Sequence, residues 1–128
     1  VSLAEAVDAG IASAGASTAR TADALVGAGA RTAVVTDGPR PAAASDGRHA
    51  FDVVVPPVDA INAVGSGDAV SAGLSLGLAR GDGFAEALAL GIAAGSANAA
   101  TISAGDLDPA LVHAFRERVE VRERAWVA

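Results

Sequence analysis

Asn62-Ala63-Val64-Gly65-Ser66-Gly67-Asp68-Ala69 is the stretch from which the rest of the chain is read. A Gly-x-Gly turn runs directly into an acidic residue, and a long run of small and apolar residues starts behind it. The first turn of a helix leaves backbone N–H groups without intrahelical acceptors, and the helix dipole adds partial positive charge there. Phosphate is the natural occupant of such a point. Asp68 would then set a carboxylate beside a bound phosphate, and taking the proton of an attacking hydroxyl is a chemical reason for it to be there. The same aspartate would also stabilise the helix start through the dipole, and the glycines would also serve a tight loop.

Outward from this turn the pattern is that of an α/β chain. Ser2 is an N-cap for a helix opening Leu3-Ala4-Glu5, with Glu5 in the capping-box position. A second helix is predicted from Thr18 to about Val26, closing at Gly27 or Gly29. Thr32–Thr36 is a β-branched, apolar run that reads as a buried parallel strand and ends in the turn Asp37-Gly38-Pro39. Pro41–Ser45 and Arg48–Val55 read as a hairpin closed by a tight Asp46-Gly47 turn. Behind the glycine turn, Gly67 to about Ala79 is predicted as a helix buried on most sides. Phe84 to about Thr101 is a further helix, and Pro109 opens a last one running to about Val119. The tail from Val121 to Ala128 carries no clear pattern.

Composition narrows the function. The 128 residues suffice for one domain or a piece of one, and 52% are hydrophobic. Aromatics are only 3%, so alanine and glycine make up much of the apolar content and favour close approach of backbones. The net charge of −6, with all nine basic residues arginine, disfavours non-specific binding to nucleic acid. No long aliphatic run suggests a membrane span and no basic-then-apolar start suggests a signal peptide. The lack of cysteine fits the cytoplasm. The chain starts on Val1 in what reads as a mid-domain helix, which suggests that the N-terminal part of a larger protein lies upstream.

Four segments, in order, resemble the ribokinase-like (PfkB) carbohydrate kinases. Val64-Gly65-Ser66-Gly67-Asp68-Ala69 with Ser71-Ala72-Gly73 is similar to that family's second signature. Val34-Val35-Thr36-Asp37-Gly38 resembles its strand ending in Thr-x-Gly, and Pro56-Pro57-Val58 resembles the approach to the signature. Ala93-Ala94-Gly95-Ser96-Ala97-Asn98-Ala99 resembles the helix that flanks the nucleotide base. Asn62 and Ser66 lean toward the branch acting on phosphorylated sugars, which includes fructose-1-phosphate kinase, tagatose-6-phosphate kinase and the minor phosphofructokinase. Ala63 and Asp37 depart from the family pattern, and Asp37 brings negative charge toward the expected triphosphate.

The resemblance implies that residues 1–128 form the C-terminal portion of a ribokinase-like three-layer α/β/α domain, without the N-terminal sugar-binding and lid part. It implies ATP with Mg²⁺ and a sugar or sugar-phosphate substrate, and it leaves a homo-oligomer open. Asp68 becomes the catalytic base, and Gly65, Ser66 and Gly67 become the anion hole. Thr36, Gly38 and Asn98 become nucleotide contacts, while Asn62 helps order the metal or the loop, or merely caps the turn. The competing reading is a non-catalytic nucleotide-binding remnant, or a structural partner that completes a sheet elsewhere. His49 and His113 lack ligand spacing and read as structural. Arg116, Arg118, Arg122 and Arg124, interleaved with Glu117, Glu120 and Glu123, read as a solvated helix face. Trp126 is expected to pack on the domain.

Overall fold

The computed structural model describes residues 1–127; Ala128, the end of the unassigned tail, lies outside the described residues. The chain divides into two compact units, residues 1–54 with the segment from Val121, and Val55–Glu120.

The first unit opens with α1 (Leu3–Asp8), held by the expected capping box between Ser2 and Glu5. α2 (Thr18–Gly27) starts where Ser17 Oγ accepts the Arg20 N–H, and it stops before Gly29, whose φ of 112° ends helical geometry. The sheet follows: β1 (Ala33–Asp37), β2 (Arg40–Ser45), β3 (Ala50–Val54) and β4 (Glu120–Arg124), in the order β1-β2-β3-β4.

Here the prediction of a parallel strand is corrected. β1 pairs antiparallel with β2, and β2 pairs antiparallel with β3. The connection Gly38-Pro39 is too short for a crossover, and Gly38 turns it with a φ of 58°. Asp37 and Arg40 face each other across this turn in a bidentate ion pair at 2.7 and 2.8 Å, so the charge at Asp37 is met locally. The other edge of β1 is met by Val1 and Ser2. Val1 donates to Val34 O and accepts from the Thr36 N–H, both at 3.1 Å, and Ser2 makes a parallel bridge to Thr36.

The second hairpin has four residues in its loop, 46–49, rather than a two-residue Asp-Gly turn. Asp46 Oδ1 takes the N–H groups of Arg48 and His49, and Gly47 sits at a φ of 82° where an added Cβ would press on Arg31 O. α2 packs on the sheet, and Ala22, Ala33, Val35 and Ala43 form the core between them.

β4 corrects the reading of the arginine-rich tail as a helix face. Arg124 is only 11% exposed. Its Nη1 and Nη2 donate to the two Asp23 carboxylate oxygens at 2.8 and 2.9 Å, and its Nε lies 3.0 Å from Asp52 Oδ1. Burial pushes the Asp23 carboxyl up, but the hydrogen bonds from Arg124 and the Val127 N–H outweigh it and hold the group below its ordinary value. Trp126 is half-exposed.

The second unit holds α3 (Ser66–Ala79), α4 (Phe84–Ala99) and α5 (Pro109–Arg116). Asp108 caps α5 by accepting the Ala110 N–H, with Pro109 in its first turn. α3 buries one face only, through Ala69, Gly73 and Gly77, and leaves Leu76 and Leu78 exposed; the expectation of burial on most sides is corrected. α4 is the buried helix, with every residue from Gly91 to Asn98 out of solvent. The two helices approach through glycine. A Cβ at Gly73 would lie 2.9 Å from Gly91 Cα, and one at Gly91 would lie 2.7 Å from Val70 O. The alanine- and glycine-rich composition thus serves a helix pair too close for larger side chains. Ala93, Ala97 and Phe115 centre the α4–α5 core, with Val58, Leu107, Leu111 and Val119 around them.

Candidate active site

Gly65 is the N-cap of α3 and takes left-handed geometry, with φ 82° and ψ −1°. A side chain there would be strained, and its Cβ would meet Ala104 Cβ at 3.1 Å. The Ser66 N–H closes back on Ala63 O at 3.1 Å, and the first helical bond runs from the Ala69 N–H to Gly65 O at 2.9 Å. Between them, the N–H groups of Gly67 and Asp68 have no acceptor among the described residues. No side chain caps this helix start either.

Gly67 differs from Gly65. Its φ is ordinary, and an added Cβ would meet nothing within 4 Å. The backbone constraint of the tight loop therefore falls on Gly65 and not on Gly67. Neither backbone strain nor packing accounts for a glycine in the first turn of α3, where alanine would favour the helix. What the missing side chain leaves is open approach to two free N–H groups, a cradle whose shape and polarity suit a phosphate. Asp68 is exposed in the same turn, and its carboxylate makes no hydrogen bond or ion pair among the described residues.

The approach to the turn is fixed by asparagines. Asn62 Oδ1 accepts the Val64 N–H at 3.0 Å, and its Nδ2 donates to Ile102 O at 3.0 Å. Asn62 thus caps its own turn through Oδ1 and ties the loop to Ile102 through Nδ2. The N–H groups of Ile61 and Asn62 both reach Ala99 O, at 2.7 and 3.1 Å. Asn98, expected to contact nucleotide, is fully buried instead. Its Nδ2 donates to Val64 O at 2.8 Å and to Ser66 Oγ at 3.1 Å, while its Oδ1 accepts the Gly105 N–H at 2.7 Å. Thr101 Oγ1 bonds to Asn98 O and Ser103 O and completes the segment. Sequence reading missed the lace that joins these asparagines to Gly105. The available signal was a lone amide in an otherwise small and apolar helix end, a group that needs internal partners if buried.

Thr36 and Gly38 belong to the first unit, at the end of β1 and in the turn beyond it, where Gly38 is exposed. His49 is engaged by Asp46 at 3.3 Å and tilts against Phe51. Among the described residues no group of three or more His, Cys, Asp or Glu side chains could hold a metal ion. No helix among them is long and apolar enough to cross a membrane.

A candidate phosphofructokinase from Staphylococcus aureus shares the fold, with a TM-score of 0.83 at 23% identity over 98% of this chain and 41% of that one. Phosphofructokinase-2 from Escherichia coli, in complex with potassium, matches with a TM-score of 0.70 at 29% identity over 77% of this chain and 32% of its own. A carbohydrate kinase from Agrobacterium tumefaciens matches with a TM-score of 0.63 at 26% identity over 81% of this chain and 36% of its own. The chain thus spans between about a third and two fifths of the length of these relatives. No curated protein sequence matches it. The model of the pfkB family carbohydrate kinases matches residues 3–111, which includes the glycine turn and both asparagines, and the chain belongs to that family.

Proposed function

We propose that the protein, in its full length, transfers the γ-phosphoryl group of ATP to a hydroxyl of a sugar or sugar phosphate. The observation that carries this reading is the start of α3, where two unpaired N–H groups, an open glycine and a free carboxylate share one helical turn. Membership of the carbohydrate kinase family supports the choice of acceptor.

Asp68 accepts the proton of the attacking hydroxyl. The sugar oxygen forms its bond to the γ-phosphorus as the bond to the β,γ-bridging oxygen breaks, and ADP leaves with that electron pair. Charge lies on the transferring phosphoryl oxygens throughout, and the N–H groups of Gly67 and Asp68 are positioned to bind it without reorganising. Magnesium would neutralise the triphosphate. Such an ion would be held mainly by phosphate oxygens and water. Thr36 and Gly38 are proposed to line the nucleotide. Residues 1–128 are proposed to be one part of the kinase domain, with the sugar-reading residues in its remainder.

The test is ATP-dependent phosphorylation by the full-length protein of fructose-1-phosphate, fructose-6-phosphate and tagatose-6-phosphate. Product formed from any of the three supports the reading. ATP bound without turnover on these or on free sugars would favour the nucleotide-binding remnant.

A further inference from the structure

We infer that Asn98 is a positioning residue for phosphoryl transfer: its buried side chain holds the backbone of the phosphate turn in its anion-binding shape and does not touch the nucleotide. The inference rests on the phosphoryl-transfer reading above.

Asn98 lies in the last turn of α4 and is 0% exposed, so none of its polar atoms is open to a ligand. A buried amide is costly unless its partners are internal. Asn98 has them on both sides. Nδ2 serves Val64 O and Ser66 Oγ, the residues before and after Gly65, and Oδ1 serves the Gly105 N–H. These partners fix the orientation of the amide, because Val64 O requires a donor and Gly105 N–H requires an acceptor. An added Cβ on Gly65 would sit 3.7 Å from both Nδ2 and Oδ1, so the amide lies directly against the left-handed residue. The helix start is thereby pinned from beneath, and the free N–H groups of Gly67 and Asp68 are the next two along the chain.

Glutamine has the same donor and acceptor set, but its extra methylene would displace the amide from these three partners in a fully buried site. Aspartate would turn an oxygen toward Val64 O and place negative charge under an anion site. Alanine would leave the Gly105 N–H and the Val64 carbonyl without their partner. A displacement of about 1 Å in catalytic groups can cost about 10²-fold in rate.

The experiment uses the full-length protein with wild type, Asn98→Ala, Asn98→Ser and Phe115→Leu, the last a core change in the same unit that serves as the control for lost stability. We expect Asn98→Ala to lower kcat by about 10²-fold, to leave the KM for ATP within about threefold, and to leave the ratio of kcat/KM for ATP to that for GTP as in wild type. Phe115→Leu should keep kcat within about threefold at a similar Tm. If Asn98→Ala does not fold, Asn98→Ser carries the same comparison. In protein labelled with ¹⁵N-glycine, the Gly67 amide shift induced by AMP-PNP should be present in wild type and much reduced in the Asn98 variant. A kcat loss no greater than that of Phe115→Leu would overturn the inference. So would a raised KM for ATP or altered purine preference with kcat retained, which marks a nucleotide contact. If wild type phosphorylates no sugar, the functional reading fails on its own, and the Gly67 amide shift still decides the role of Asn98.

Discussion

Two glycines two positions apart have different physical reasons to be glycine. Gly65 is required by its φ of 82° and by Ala104 at its back, so Gly65→Ala should destabilise the protein by about 1–2 kcal/mol in thermal or denaturant unfolding. Gly67 has neither constraint. Gly67→Ala should therefore leave stability unchanged or raise it by about 0.5 kcal/mol, while turnover falls because a methyl group obstructs the phosphate. A Gly67→Ala enzyme with undiminished kcat would place the anion site elsewhere. Asp68 carries the complementary expectation. Asp68→Asn keeps the size and the helix start, so ATP binding measured by calorimetry should persist while kcat drops by about 10²–10⁴-fold. Retention of more than half the turnover would remove Asp68 from the chemistry.

Among the elements, β4 joins the sheet beside β3 and is tied to α2 by an ion pair. Arg124 reaches from that strand to Asp23 on α2 in a pair that is almost fully buried. Breaking one side of such a pair leaves an uncompensated charge, so Asp23→Ala should cost about 3 kcal/mol. The pair also sets an acid limit. The Asp23 carboxyl titrates lower in the folded chain than in the unfolded one, where it is near the ordinary value of about 3.9. Its contribution is complete above that value and is lost as pH falls through the depressed folded value. Unfolding midpoints measured from pH 6 down to pH 2 should fall more steeply in wild type than in Asp23→Ala; parallel curves would show that the pair is not the acid-sensitive element. Capped helices were readable from sequence at this scale, since Ser2 with Glu5, Gly29 after α2 and Pro109 in α5 act through neighbours in the chain. β4 was not. Its alternating Glu and Arg fit an exposed helix as well as a strand, and its partners lie about a hundred positions away.

At the scale of the whole molecule, the share of its relatives that the chain covers bears on activity. The 128-residue chain alone is expected to show no sugar phosphorylation, because in-line placement of the hydroxyl supplies roughly 7–11 kcal/mol of barrier reduction and needs groups that hold the sugar. Rapid turnover by this chain, with its fold verified by circular dichroism, would locate the sugar site within it. Sequence alone determined the α/β class, the family and the glycine turn with its aspartate, because each depends on residues adjacent in the chain or on a fixed order of short motifs. Only the tertiary structure decided that β1 runs antiparallel to β2, that Gly65 and not Gly67 bears the backbone constraint, and that Asn98 is buried beneath the turn. The reason is common to all three. Hydrogen-bond partners 34 residues apart, as Asn98 and Val64 are, and the space around a missing side chain are fixed by packing, which a linear order of residues does not contain.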